Sequence, residues 1–106
     1  MKPDEADNWP FDQPSNCATF TTRQVIEGLE PIVLVSHDAE DHGWQFIGGS
    51  GVAMIDAKIV ALGEIVKLDS TVLAVADLQP GWQALRARLG DPWTRREHPP
   101  VPEDEQ

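Results

Sequence analysis

The chain is poor in cysteine, in cations and in long apolar runs. It has 106 residues and one cysteine, Cys17, which cannot form a disulfide within the chain. Small secreted domains usually carry several disulfides, and residues 1–10 lack the apolar core of a signal peptide. No apolar run approaches the ~18–20 residues that a membrane span requires. We therefore predict a cytoplasmic protein without a membrane anchor.

Basic residues are also scarce. Eight lysines and arginines face 18 aspartates and glutamates, which gives a net charge of -10. Nucleic acids and anionic membrane surfaces are bound by clustered cations, so both are excluded as general partners. A basic protein partner would be attracted by the same charge. The acidity also favours solubility, and the composition alone does not separate these two roles.

The usual catalytic and cofactor motifs are missing as well. The glycine-rich residues 48–51 lack the lysine and the spacing of a phosphate-binding loop, and Ser50 is not in a Gly-x-Ser-x-Gly context. Cys17 could be a nucleophile with His37 or His42 as its base, but nothing beside it resembles a nucleophile elbow. A lone cysteine usually behaves as a small apolar residue. We predict no catalytic residue and no cofactor.

Composition divides the chain into three parts. Residues 1–16 are rich in proline and acids and are expected to form a disordered or extended leader, although Trp9 and Phe11 could attach it to the domain. Residues 17–96 carry the apolar periodicity of one folded domain. Residues 97–106 form a proline-rich acidic tail that has no means of making a core.

The apolar pattern predicts an α+β domain in which two to four short helices pack on one face of a small antiparallel sheet. The apolar and mostly β-branched residues 32–35 and the residues 44–47 are predicted to form two strands of a hairpin. A threonine cap precedes a first helix over residues 23–29. Apolar spacings of three and four predict helices around residues 55–66 and 82–89, with a short helix over residues 70–76 between them.

The loop of residues 37–42 collects two imidazoles and three carboxylates. His37 and His42 are therefore candidate metal ligands, although their spacing is not that of a known zinc site and no thiolate is near. A metal-dependent or hydrolytic enzyme built on this loop is one alternative function, and a small-ligand-binding adaptor is another. The more conservative interpretation of the loop is a solvated hairpin turn.

Charge and loop position give the predicted partner-binding surface. Its members are Asp38, Glu40, Asp41, Gln45 and Trp93. The first three are acids of the hairpin loop, and exposed tryptophan is enriched at interface hot spots.

Three stretches of the chain resemble one bacterial family. Residues 42–49 match a Gly-Trp-x-Phe-x-x-Gly strand, residues 62–69 and 77–81 match two short helices with a Pro-Gly turn, and Arg86 follows. The pattern resembles immunity-protein family thirty-three of polymorphic toxin systems, and it covers residues 17–96. The resemblance implies a protein that binds and blocks a toxin without catalysis. The leading prediction is therefore an immunity-type inhibitor, whose partner could be a basic toxin domain.

Overall fold

A computed structural model of the chain describes residues 9–97. In this part of the chain six strands form one sheet: β1 Ala18–Thr22, β2 Ile32–His37, β3 Trp44–Gly48, β4 Ala57–Ala61, β5 Trp82–Leu85 and β6 Thr94–Glu97. Two short helices, α1 Arg23–Ile26 and α2 Leu62–Leu68, and two 3₁₀ segments, Met54–Asp56 and Ser70–Val75, connect them. Within this described part, no helix combines the length and the apolar character of a transmembrane segment.

The strand order across the sheet is β4-β1-β3-β2-β5-β6. Strands β1 and β3 run parallel, and the other neighbours run antiparallel. The predicted α+β class is confirmed. The sheet is larger than the small antiparallel one expected from the sequence, because two segments predicted as helical form strands.

The apolar core lies on one face of this sheet, which we call the inner face. Val35 lies there opposite Phe46 and Ala84 in the ladders, and Trp44 lies opposite His37. The helical elements contribute the remaining buried apolar side chains of the same cluster, namely Val25, Leu62, Ile65, Val72 and Val75. Helices therefore pack on one face, as the fold class requires.

The predicted hairpin is confirmed. Strands β2 and β3 pair with Val35 opposite Phe46 and His37 opposite Trp44. The β-branched run of β2 favours extended backbone, and burial against the helices selects its register. The first helix is also present, capped by the Thr22 hydroxyl, which accepts a bond from Val25 N–H. It ends at Ile26, because Gly28 adopts a positive φ of 76° that breaks it before residue 29.

The helix predicted around residues 55–66 is wrong in its first half. Strand β4 occupies Ala57–Ala61 and pairs along its length with β1, while α2 begins only at Leu62. Ile55 and Ile59 are 90% and 66% exposed, so they do not belong to a buried helix face. Ile55 lies in the 3₁₀ segment Met54–Asp56 and Ile59 in β4, so their spacing of four residues does not come from a helix.

The helix predicted over residues 82–89 is also wrong. Gly81, with a φ of 91°, forms a turn that leads directly into β5, which pairs with β2 on one side and β6 on the other. Arg86 N–H continues the ladder by donating to the Val33 carbonyl at 3.0 Å. Leu89 lies in a turn and is 58% exposed. Pairing on both sides of β5 outweighs a local helical spacing.

Residues 9–16, which the sequence assigns to a leader, pack on the domain. Phe11 is fully buried and meets Trp44 edge to face at 5.1 Å between ring centroids. Trp9 packs beside Phe11 and donates its indole N–H to the Gln13 carbonyl at 2.8 Å. The folded unit therefore begins before Cys17. The rest of the leader and residues 98–106 of the tail lie outside the described residues.

Helix α1 is tied to the 3₁₀ segment Met54–Asp56 by one carboxylate. Asp56 accepts a 2.8 Å bond from the Gln24 amide and a 3.3 Å bond from Arg23 Nε. These bonds, with the Gln24 bond first, hold the pKa of Asp56 below its ordinary value. The folded state therefore binds this proton more weakly than the unfolded state. The resulting stabilisation is present above the ordinary carboxyl pKa and is lost as the pH falls through the lowered one.

We expect Gln24→Ala to raise the pKa of Asp56 toward the ordinary value. A carboxyl-carbon NMR titration of the full chain measures this shift directly. The pKa of Asp77, which a hydrogen bond from Arg95 lowers elsewhere in the fold, should stay in place and serves as the internal control. An unchanged Asp56 titration would mean that the Gln24 bond does not form in solution.

Candidate functional site

The loop that joins β2 and β3 is held closed by its own acids. Asp38 exchanges backbone hydrogen bonds with the far side of the loop, donating to Gly43 and accepting from His42. Its carboxylate accepts the Glu40 N–H at 2.6 Å, and the Asp41 carboxylate accepts the Gly43 N–H at 2.7 Å. Aspartate forms such turns because its short side chain reaches the backbone two residues on. The acids are therefore presented on an ordered loop.

This loop lies at one end of the second face of the sheet, which we call the outer face. Phe20 of β1 pairs with Ile59 on one side and with Gln45 on the other, so these three side chains share that face. Ile59 is 66% exposed, and Gln45 is exposed as well. The outer face thus carries apolar and amide groups beside the loop.

A hollow of about 230 Å³ joins the loop to the outer face. Among the described residues, its lining combines aromatic and aliphatic side chains with two aspartates and includes no lysine or arginine: Ala18, Thr19, Phe20, Asp38, Asp41, Gly43, Trp44, Gln45 and Ile59. Among residues 9–97, no ion pair neutralises Glu40 or Asp41. The hollow is therefore a partly apolar surface with local negative charge. We refer to it, together with Glu40, as the acidic hollow.

The structure brings together four of the five predicted contact residues. Asp38, Asp41 and Gln45 line the hollow, and Glu40 is exposed in the adjoining loop. Trp93 does not join them.

Trp93 packs against the core of the inner face. It lies near the end of β2 that is farther from the loop of residues 37–42. The Arg86 guanidinium stacks 4.0 Å from its ring centroid, and its indole N–H donates to the Thr71 carbonyl at 3.3 Å. These contacts pin the C-terminal segment to the core. Trp93 therefore has a packing role in this fold and is not part of the acidic hollow.

The two loop histidines differ in their surroundings. His37 is buried at the end of β2, where its Nδ1 lies 2.7 Å from the Leu78 carbonyl, whereas His42 is exposed. Their ring centroids are 6.1 Å apart. Nowhere in residues 9–97 do three or more histidine, cysteine or acidic side chains form a group that could hold a metal ion.

Both histidines line one cavity of the described part of the chain. Cys17 lies just before β1 and is not among the residues that line it. Its sulfur contacts the Ala18 carbonyl oxygen at 3.7 Å. The geometry therefore does not bring Cys17 together with a histidine base in the manner of a nucleophile pair.

Phe20 and Ile59 are the site residues that the sequence did not indicate. Phe20 lies between Thr19 and Thr21 in β1. Because side chains alternate between the two faces along a strand, Phe20 lies on the outer face and the two buried threonines lie on the inner face. The alternation of threonine and phenylalanine in the sequence therefore indicates an apolar side chain on the outer face. The position of Ile59 on the outer face could not be predicted, because the spacing of the apolar residues around it indicates a helix.

No family model, no curated protein and no solved structure matched this chain. The resemblance to the immunity-protein family accordingly stays a prediction from the motifs of residues 42–49, 62–69 and 77–81.

Proposed function

We propose that the protein is a non-catalytic, protein-binding domain that recognises a basic partner through the acidic hollow. The observation that carries this proposal is the hollow itself, in which Phe20 and Ile59 adjoin the carboxylates of Asp38 and Asp41. Protein interfaces combine an apolar centre with a polar rim, and this surface offers both. The net charge of -10 would attract a basic partner over a distance.

The motif resemblance supports a more specific form of the proposal, an immunity-type inhibitor of a bacterial toxin. An acidic inhibitor gains association rate against a basic toxin domain, because complementary charge steers the encounter. Co-expression in bacteria tests this form. Cells that carry a toxin gene adjacent to the gene for this chain should survive when the chain is present. Survival that is no better with the chain than without it would contradict the immunity form while leaving protein binding in place.

Charge reversal at one exposed loop acid tests the location of the interface. Glu40 is exposed, and among the described residues its carboxylate is not engaged in the bonds that hold the loop. We expect Glu40→Lys to slow association with the partner roughly three- to ten-fold at low salt, because local charge governs steering. The difference should shrink at high salt, where the charges are screened. Surface plasmon resonance measures the association rate of the parent chain and of the variant at low and at high salt.

The control for this measurement is Glu64→Lys. Glu64 is an exposed acid of α2 with a weak 3.6 Å pair to Lys67, and it lies away from the hollow. Both substitutions change the net charge equally, from -10 to -8, because each replaces one negative by one positive charge. Equal slowing by the two variants would show that total charge matters and that the loop does not. Asp38 and Asp41 are less suitable, because reversing them also removes the bonds that close the loop.

A further inference from the structure

A second cavity lies on the inner side of the same loop. It has a volume of about 340 Å³ and is formed where the end of β2 meets the turn of residues 77–80 and the segment of residues 12–13. Its volume is at the lower end of the range for small-molecule sites in proteins. The acidic hollow is lined by residues of β1 and β4 that do not line this cavity, and the two sites have only Trp44 in common among the described residues.

His37, which lines the cavity, has a buried ring nitrogen, Nε2, without a hydrogen-bond partner among residues 9–97. His37 is 6% exposed and stacks on Trp44 at 4.1 Å between ring centroids, which holds the orientation of its ring. A carbonyl oxygen only accepts hydrogen bonds, so the 2.7 Å contact with Leu78 assigns the hydrogen to Nδ1. In the neutral ring Nε2 therefore presents a lone pair. Within residues 9–97 this nitrogen has no partner.

Such a nitrogen indicates a site for a hydrogen-bond donor. Buried polar atoms in folded proteins nearly always have a hydrogen-bond partner, because leaving one unpaired costs free energy. The site also holds a strained residue: His42, which lines the cavity, has a positive φ of 60°, a conformation that non-glycine residues seldom adopt. Backbone strain of this kind concentrates at binding sites.

The charged groups at the cavity mouth set the chemistry of the ligand. Asp12 and Asp77 are exposed carboxylates that line it, and His42 is the exposed imidazole. Asp77 already binds the guanidinium of Arg95 at 2.7 Å, which lowers its pKa. Asp12 forms no ion pair with another described residue. A ligand therefore meets a lone pair at Nε2 and a carboxylate at Asp12, and no lysine or arginine of the described residues lines the cavity.

We propose that this cavity binds an organic cation that carries N–H donors, a guanidinium or primary ammonium group, with His37 Nε2 as the buried acceptor and Asp12 as the counter-charge. The N–H donors of the cation satisfy the lone pair, and its charge is matched by the carboxylate. The group could belong to an arginine side chain of a protein or to a free small molecule. The inference does not rest on the proposed function, because His37 and Asp12, the two residues proposed to bind the cation, do not line the acidic hollow.

Titration of the full chain with methylguanidinium at mildly alkaline pH tests the proposal. The ¹⁵N resonance of His37 Nε2, observed in a long-range proton–nitrogen spectrum, reports directly on hydrogen bonding to that atom. We expect a saturable shift toward the hydrogen-bonded value. Neutral methylurea and the fully methylated tetramethylammonium ion should each bind at least roughly ten-fold more weakly, since one lacks the charge and the other the N–H donors. No Nε2 shift at saturating methylguanidinium would overturn the proposal.

Two variants and a control complete the test. Asp12→Asn preserves the shape of an exposed side chain and should weaken methylguanidinium binding roughly ten-fold. His37→Phe retains stacking on Trp44 and removes the acceptor, and it should weaken binding at least as much. Glu64→Gln, which removes the same negative charge from an exposed position of α2 outside the cavity lining, should leave the affinity unchanged. Equal affinity in Asp12→Asn and the parent protein, with methylurea binding as well as methylguanidinium, would show that the cavity holds solvent or any small polar molecule.

The source of the cation is distinguished by a peptide. Gly-Arg-Gly is compared with methylguanidinium and with the same peptide carrying neutral citrulline. Tighter binding of the arginine peptide than of methylguanidinium assigns the cation to a protein chain, and weaker binding assigns it to a free small molecule. Equal binding of the arginine and citrulline peptides would contradict recognition of a cation.

Discussion

Replacing Asp69 with alanine should lower the free energy of unfolding by about 3–5 kcal/mol, the cost of leaving a buried charge without its partner. The partner is Arg86, whose side chain is 1% exposed and whose Nη2 lies 2.8 Å from the Asp69 carboxylate. The guanidinium also donates to the Ile32 carbonyl and the Thr71 hydroxyl. It thereby joins β2, the turn after β5 and the second 3₁₀ segment. A domain of this size has a total stability of roughly 5–15 kcal/mol, so this single change would bring it close to unfolding.

Urea denaturation followed by circular dichroism measures the effect. Asp69 also accepts the Thr71 N–H at 3.0 Å, and Asp69→Asn retains an oxygen for that cap while removing the charge. The difference between the two variants therefore separates the cap, worth about 1 kcal/mol, from the ion pair. The control is Asp91→Ala, whose exposed 3.6 Å pair with Arg88 should contribute less than about 1 kcal/mol. An Asp69→Ala loss no larger than that of the control would mean that Arg86 is not buried as described.

Replacing Phe11 with alanine should lower the free energy of unfolding by about 3–5 kcal/mol, the usual cost of removing a fully buried aromatic ring. Phe11 is 0% exposed and contacts both Trp9 and Trp44. The segment around it continues into the Gln13 side chain, which accepts the Trp44 indole N–H at 3.0 Å. The ring therefore attaches the N-terminal segment to the centre of the inner face.

The same denaturation experiment checks this second prediction. Asn16→Ala, at an exposed position of the same segment, is the matched control and should change stability by less than about 0.5 kcal/mol. If Phe11→Ala were as mild as the control, the N-terminal segment would not be part of the folded unit. The expectation that residues 1–16 form a separate leader would then describe the chain better than the structure does.

Local pattern predicted the parts of the fold that local forces determine. Residues 32–35 of β2 are all apolar and three of the four are β-branched, a composition that favours a strand. The cap at Thr22 and the turn at Gly81 follow from side-chain chemistry that acts over a few residues. These elements were predicted at or near their observed positions.

Periodicity failed where two elements follow each other without a break. Strand β4 ends at Ala61 and α2 begins at Leu62, so the apolar residues on both sides fall by chance into helical spacing. Strand β5 was missed because its ladder with β2 pairs residues about fifty positions apart. A short stretch of sequence gives no information about pairing between residues so far apart in the chain.

Only the acidic residues of the acidic hollow could be predicted from the sequence, because its other residues are brought there by long-range pairing. Its acids stand together in the sequence, and their position between two strands indicated an exposed loop. Phe20 joins them only because β1 lies parallel to β3, a pairing between segments far apart in the chain. The cavity beside His37 needs three distant segments and could not be read from any one of them.

The measurement that tests the central claim most directly is a comparative pull-down. The full chain, the Ile59→Ser variant and the Glu64→Lys control are immobilised side by side, exposed to host lysate at low and high salt, and analysed by mass spectrometry. We predict that one stoichiometric basic protein is retained by the parent chain and the control, and that Ile59→Ser retains at least several-fold less of it. Retention should fall at high salt. Equal retention of that protein by Ile59→Ser and the parent chain, at both salt concentrations, would contradict binding through the acidic hollow.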